Sequence, residues 1–253
     1  MNLLEQDQSL FSSDQWIHLT NLIHSYDEHS VLPIAKAFMK ELDSLPLKLR
    51  FKTDLSKTLE VITTFYQATE PFIRSNHDFT SLTPNDRSIV LHGAVDNVSC
   101  LGGGFIARQS GLITNVVFRQ SLEKIYGTIP YNLALTMISL IDQDISVVKL
   151  TMALFTFCTS SCTIFNENGP IEYITSYQAL LRIQNTYAEL IWKYLLYKYT
   201  LVQAVIRFSH LVQCLVVALT IRTHLQTIRS HTDVVDSVIQ KIEQQQPSNI
   251  SDN

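Results

Sequence analysis

The chain has 253 residues, 46% of them hydrophobic and 17% charged, with seven Gly, seven Pro and a net charge of −4 at pH 7. A single domain of this length buries roughly 75% of its unfolded surface, so this composition excludes a disordered chain and favours a turn-poor helical one. The 19 Lys and Arg residues are dispersed rather than gathered in a stripe, which excludes direct nucleic-acid binding as the leading function.

The opening MNLLEQDQ carries early acids and no basic segment before an apolar one, unlike a secretory signal. The uncharged run over residues 150 to 165 is short for a spanning helix and broken by Thr, Ser and Cys. A nuclear or cytoplasmic protein without a membrane span is expected. Cys100, Cys158, Cys162 and Cys214 are few and irregularly placed, which suits free buried thiols without a disulfide.

Ser12 offers a cap for a helix over about 13 to 29, where Trp16, Leu19, Leu22, Ile23 and Tyr26 recur at helical spacing. A shorter helix lies between Pro33 and Pro46. Between Leu55 and Ile73 apolar residues occupy two faces, the pattern of a helix buried on both sides. Thr83 then caps a new helix with Pro84 in its first turn and Asp86 reaching back in a capping box.

Gly102, Gly103 and Gly104 are expected to end or loosen that helix, with the following FIARQSGLI as a small hairpin or loop. Further helices are expected at about 115 to 127, 129 to 143 and 144 to 160, then a turn at NENGP, residues 166 to 170. Two long helices follow, one through Tyr177, Leu180, Tyr187, Ile191 and Leu195, the other through Val205, Phe208, Leu211, Leu215 and Leu219. Thr232 caps a last amphipathic helix, and the segment 246–253 reads as a disordered tail after one domain spanning 12–245.

At residues 72 to 92 the order Phe72-Ile73-Arg74, Phe79, Leu82, Asp86-Arg87, Val90-Leu91-His92 resembles the hallmark of nuclear receptor ligand-binding domains. Arg87 and His92 depart from that pattern, which usually has Gln and often Lys there. DISVVKLTMALF at 144 to 155 is similar to the family's eighth helix, YQALLRIQNTYAELIWKYL to its ninth, and IRFSHLVQCLVVAL from Ile206 to the long helix that often forms its dimer interface. The resemblance implies an all-α, three-layer antiparallel helical sandwich with at most a small β-hairpin, working without an enzyme activity or cofactor. Four cysteines cannot supply the pair of zinc modules of the usual receptor DNA-binding domain.

By the same resemblance a small lipophilic ligand would sit near Leu59, Ile62, Phe65, Tyr66, Cys100, Phe105, Ile106, Ile221, His224 and Leu225. A coregulator groove would use Glu70, Arg74, Arg87, Ser88, Leu91 and Asp236, with Arg74 holding the carbonyl end of a partner helix. The alternative role of Arg74 is a pair with Glu70 one turn earlier. The groove is polar, and the last helix lacks an acid in the family's position, leaving Asp236 one residue away. The partner implied is a second receptor-like domain, as a homo- or heterodimer.

Other chemistry finds no residues. Cys158 with Cys162, or His210 with Cys214, stand one helical turn apart in apolar helices and read as structural thiols. The glycine run lacks the Gly-Lys-Ser/Thr ending of a phosphate loop, and no Gly-x-Ser-x-Gly or His-Glu-x-x-His occurs. Three readings remain: a domain that binds an apolar ligand, a ligand-free interaction module whose own aromatic side chains fill the core, and a helical membrane protein.

Overall fold

In the computed structural model, residues 11–50, 55–158 and 174–244 are described, and their regular structure is entirely helical. The helices are α1 (Ser13–Glu28), α2 (Leu32–Ser44), α3 (Leu47–Arg50), α4 (Leu55–Gln67), α5 (Thr69–Arg74), α6 (His77–Thr80) and α7 (Pro84–Gln109). After a 3-10 turn at Leu112–Thr114 come α8 (Val116–Tyr126), α9 (Thr128–Leu140), α10 (Ile145–Thr156), α11 (Tyr177–Lys198), α12 (Leu201–Leu225) and α13 (Arg229–Gln244). The expected turn at 166–170, Cys162 and the tail 246–253 lie outside the described residues.

Local chemistry sets the boundaries. Ser12 and Gln15 form a reciprocal capping box on α1, which satisfies two N–H groups that the first turn leaves orphaned. The apolar run from Leu55 to Ile73 is two helices rather than one, because Pro71 has no N–H to give the Gln67 carbonyl and its ring crowds that group. Thr83 accepts a hydrogen bond from the Asp86 N–H at 3.2 Å, and Pro84 opens α7 as expected. The last helix begins at Arg229, earlier than expected, so Thr232 lies inside it and its hydroxyl bonds back to the Arg229 carbonyl at 3.0 Å.

The Asp86 carboxylate does not close a capping box. It accepts from the Thr175 N–H at 2.7 Å, the Thr175 hydroxyl at 3.0 Å and the Ser176 N–H at 3.1 Å, and so ties the start of α7 to the approach of α11. Burial pushes its pKa up, and the bonds from Thr175 and Ser176 outweigh that and hold it below the ordinary carboxylate value.

The expected break at the three glycines and the small hairpin are absent among the described residues: α7 continues through the glycines and into FIARQSGLI as far as Gln109, and a turn at Gly111 leads from there into the 3-10 helix. The glycines serve close approach. A Cβ on Gly104 would stand 2.9 Å from Met137 Cε and 3.1 Å from Ile138 Cγ1 of α9, and one on Gly102 would stand 3.0 Å from Met152 Cε of α10. The conformational cost of glycine in a helix is accepted where the neighbouring helix sits this near. α7 consequently runs through the middle of the molecule, touching α2, α4, α5 and α13 as well as α9, α10 and α12.

Polar staples join the outer helices. Lys149 of α10, almost fully buried, pairs with Asp27 of α1 at 2.6 Å. Asp144 caps α10 and receives the Tyr199 hydroxyl at 2.9 Å and Lys198 Nζ at 2.8 Å. By length and composition, α7 and α12 could each cross a membrane. Here α7 is covered by its neighbours, and α12 is pinned by Arg207 to Asp142 at 2.5 Å and by Arg222 to Asp96 at 3.1 Å.

Candidate functional site

α4, α7, α8, α9 and α12 line a half-open cavity of about 110 Å³ with an almost wholly apolar wall. Six of the ten residues expected near a ligand line it: Ile62, Phe65 and Tyr66 from α4, Cys100 from α7, and Ile221 and Leu225 from α12. α8 and α9 complete the wall with Phe118, Leu122, Tyr126, Tyr131, Ala134 and Ile138. Gly103 and Gly104 of α7 also line it, and their lack of a side chain is what lets Phe65, Met137 and Ile138 approach.

The other four residues lie elsewhere. Phe105 is buried edge-on to Tyr26, with ring centroids 6.3 Å apart. Ile106 faces a smaller hollow shared with Tyr26, Phe72 and Met152. Leu59 and His224 are half-buried and do not reach the cavity wall. Leu59 lies a turn before Ile62 on α4, short of the wall, and a single-residue step of about 100° turns His224 away from Leu225.

The cavity wall offers little for covalent chemistry. Burial, with Asp96 and Cys214 adding to it, pushes the Cys100 thiol pKa far up, and burial likewise raises those of Tyr66 and Tyr126. Cys214, behind the wall, is pushed up to about 12 by burial. These groups hold their protons at neutral pH, so Cys100 presents a thiol and not the nucleophilic thiolate.

A buried polar cluster beside the cavity is not legible as a unit in the sequence. Asp96 of α7 receives Arg222 Nε of α12 at 3.1 Å and faces His231 Nε2 of α13 at 2.9 Å. His231 Nδ1 lies 3.4 Å from the Tyr66 hydroxyl, and the Tyr66 and Tyr126 rings stand edge-on to the imidazole. One carboxylate thus fastens the last helix to the two longest ones, and its imidazole partner touches the cavity wall. The available signal was Asp96 itself, the single Asp, Glu, Lys or Arg between Ser88 and Ala107.

The expected groove residues divide between surface and core. Arg74 Nε donates to Glu70 Oε1 at 2.6 Å, one turn earlier on α5. Arg87 and Ser88 are half-buried, Asp236 is exposed on α13, and Leu91 is only 1% exposed, inside the core rather than on a groove floor. His210 is exposed while Cys214 is buried with its thiol 3.8 Å from the Met137 carbonyl, so this pair does not converge. No metal-binding cluster of His, Cys, Asp or Glu occurs among the described residues.

The second surface of note is the outer side of α12. Leu201, Val202, Val205, Ile206, Val212 and Val216 are between 47% and 69% exposed. Between them the exposed side chains are Gln203, Ser209, His210 and Gln213, none of which is Asp, Glu, Lys or Arg. A continuous apolar strip of this kind differs from ordinary scattered exposure. No protein-family model matches the chain, and no curated protein matches it either.

Proposed function

We propose that the protein is a nuclear-receptor-type ligand-binding domain that holds a small apolar molecule and acts through protein contacts, with a second copy of itself against α12. The observation that carries the reading is the convergence of Ile62, Phe65, Tyr66, Cys100, Ile221 and Leu225, distant in sequence and grouped beforehand by the resemblance, on one apolar cavity. The three-layer sandwich belongs to the same proposal, supported by the order of helices and the central course of α7. Pairing of identical α12 faces is supported by their uncharged exposed side chains, which bring no like charges together across a two-fold contact.

The cavity's size favours a second reading, the ligand-free interaction module. About 110 Å³ is below the roughly 300 Å³ at which small-molecule sites usually begin. Thermal unfolding with a panel of single-ring and short-chain lipophiles separates the two. A ligand of the folded state raises the midpoint with concentration, and Ala134→Leu, which fills the cavity from α9, abolishes that rise while keeping the fold. The same absence of any rise in the unsubstituted protein would leave the interaction module.

A further inference from the structure

A different hollow, on the surface formed by α1, the α5–α6 junction and α11, has a more polar wall. Its volume is about 190 Å³, larger than the apolar cavity, and its wall consists of His18, Asn21, Leu22, Ser25, Ser75, Asn76, His77 and Tyr187. It shares no lining residue with that cavity.

Its inner wall is held in place from several directions. Asn76 is buried, caps α6 by accepting from the Asp78 and Phe79 N–H groups at 2.9 and 3.4 Å, and donates from its amide to the Tyr187 hydroxyl at 2.7 Å. The Tyr187 ring stacks on Phe157 with centroids 5.7 Å apart. His18 Nε2 lies 2.9 Å from the same hydroxyl and 3.0 Å from Asp78 Oδ2. Nearer the mouth, the Ser25 and Ser75 hydroxyls touch, and Ser75 also donates to the Phe72 carbonyl at 2.9 Å.

The lining selects a ligand class. It contains no Lys, Arg, Asp or Glu, and the neighbouring acid Asp78 is already set against His18. An anion would find no fixed cation, and a cation no free carboxylate. Hydroxyls, amides and imidazoles that donate and accept, set among C–H surface, match a molecule with an apolar C–H face and a rim of O–H groups.

We propose that this cleft binds a small neutral polyhydroxyl compound the size of a monosaccharide or a cyclitol. Inner-wall rigidity lowers the ordering cost of binding, so the orienting contacts come from Asn76, Tyr187 and His18, while Ser25 and Ser75 shape the mouth. The inference stands apart from the receptor reading, because it uses other helices and a polar site.

The test is a titration of the ¹⁵N-labelled full chain with glucose and with myo-inositol, alongside glucose 6-phosphate and glucosamine as charged counterparts. The expected result is saturable shifts of the Asn21, Ser25, Ser75 and His77 amides with at least one neutral compound. Binding should weaken by about tenfold or more in Ser25→Leu and in Ser75→Val, each of which removes a hydroxyl or narrows the mouth on a partly or fully exposed position. Far-UV circular dichroism and unchanged amide positions outside the cleft establish that these variants fold. Absence of saturable shifts with both neutral compounds, equal shifts in the folded variants, or tighter binding of a charged counterpart would overturn the proposal.

Discussion

α7 and α12 are nearly equal in length, 26 and 25 residues, and both are apolar enough to pass for membrane-crossing helices. They are covered very differently: α7 buries sixteen residues and α12 only six, although α12 is the more apolar of the two. The buried positions of α12, Ala204, Leu211, Cys214, Ala218, Ile221 and Leu225, form one heptad-spaced seam toward the fold. The exposed apolar residues form a second seam on the opposite side. An apolar helix therefore means two things here: in α7 its side chains are covered by the rest of the chain, and in α12 one face of them is left exposed.

The contrast breaks most visibly where the two helices are joined. Replacing Asp96 with Ala leaves Arg222 and His231 without their shared carboxylate in a buried setting, and should destabilise the fold by about 3–5 kcal/mol in denaturant titration. Next comes truncation within each helix. Leu91→Ala on α7, at a position 1% exposed, should cost about 2–5 kcal/mol, whereas Val212→Ala on the outer seam of α12, 47% exposed, should stay within about 0.5 kcal/mol. Similar losses at both sites would mean that the outer seam is not free in the monomer.

Acid sensitivity sharpens the α7 side. Asp86, at the first turn of α7, has its folded pKa held below the unfolded value by Thr175 and Ser176 against the upward push of burial. Its contribution is therefore fully present above the unfolded carboxylate pKa of roughly 3.9, and is lost as pH falls through the lower folded value. Asp144 at the start of α10 behaves in the same direction, with burial outweighed by Lys198 and Tyr199. Asp86→Asn should lower stability at neutral pH by about 1–3 kcal/mol and flatten its decline in acid, as read from unfolding curves at stepped pH. An unchanged acid slope would remove Asp86 from this role.

The smallest effect is expected at Arg74. Its partner Glu70 is one turn away and the guanidinium side chain is 37% exposed, so Arg74→Ala should change stability by less than about 1 kcal/mol. A larger loss would indicate that the α5 surface is more tightly built into the molecule than this ion pair implies.

Much of the helix plan was legible because its signals are local. Ser12, Thr83 with Pro84, and Asp144 all mark helix starts where the sequence puts them, and the apolar period of α11 and α12 is strong enough to read directly. What was not legible depends on neighbours that are distant in sequence. Three consecutive glycines signal a break until Met137 and Met152 are known to press against them. Asp86 looks like a capping-box acid until Thr175, 89 residues on, takes its carboxylate. Periodicity placed Ile62, Phe65 and Tyr66 inside but could not separate a cavity wall from packed core, since both demand the same apolar residues. It likewise gave no reason to choose His231 over His224 as the imidazole beside that wall.

The receptor reading joins the two seams of α12: the inner one helps to line the apolar cavity, and the outer one meets a second copy. Native mass spectrometry of the purified full chain, with and without the lipophile panel, examines both together. The account predicts a species of twice the 28.8 kDa chain mass that carries added small apolar molecules, and its conversion to monomer by Val205→Glu with Val216→Glu on the outer seam. A bare monomer at every concentration, with no adduct from any lipophile, would contradict it.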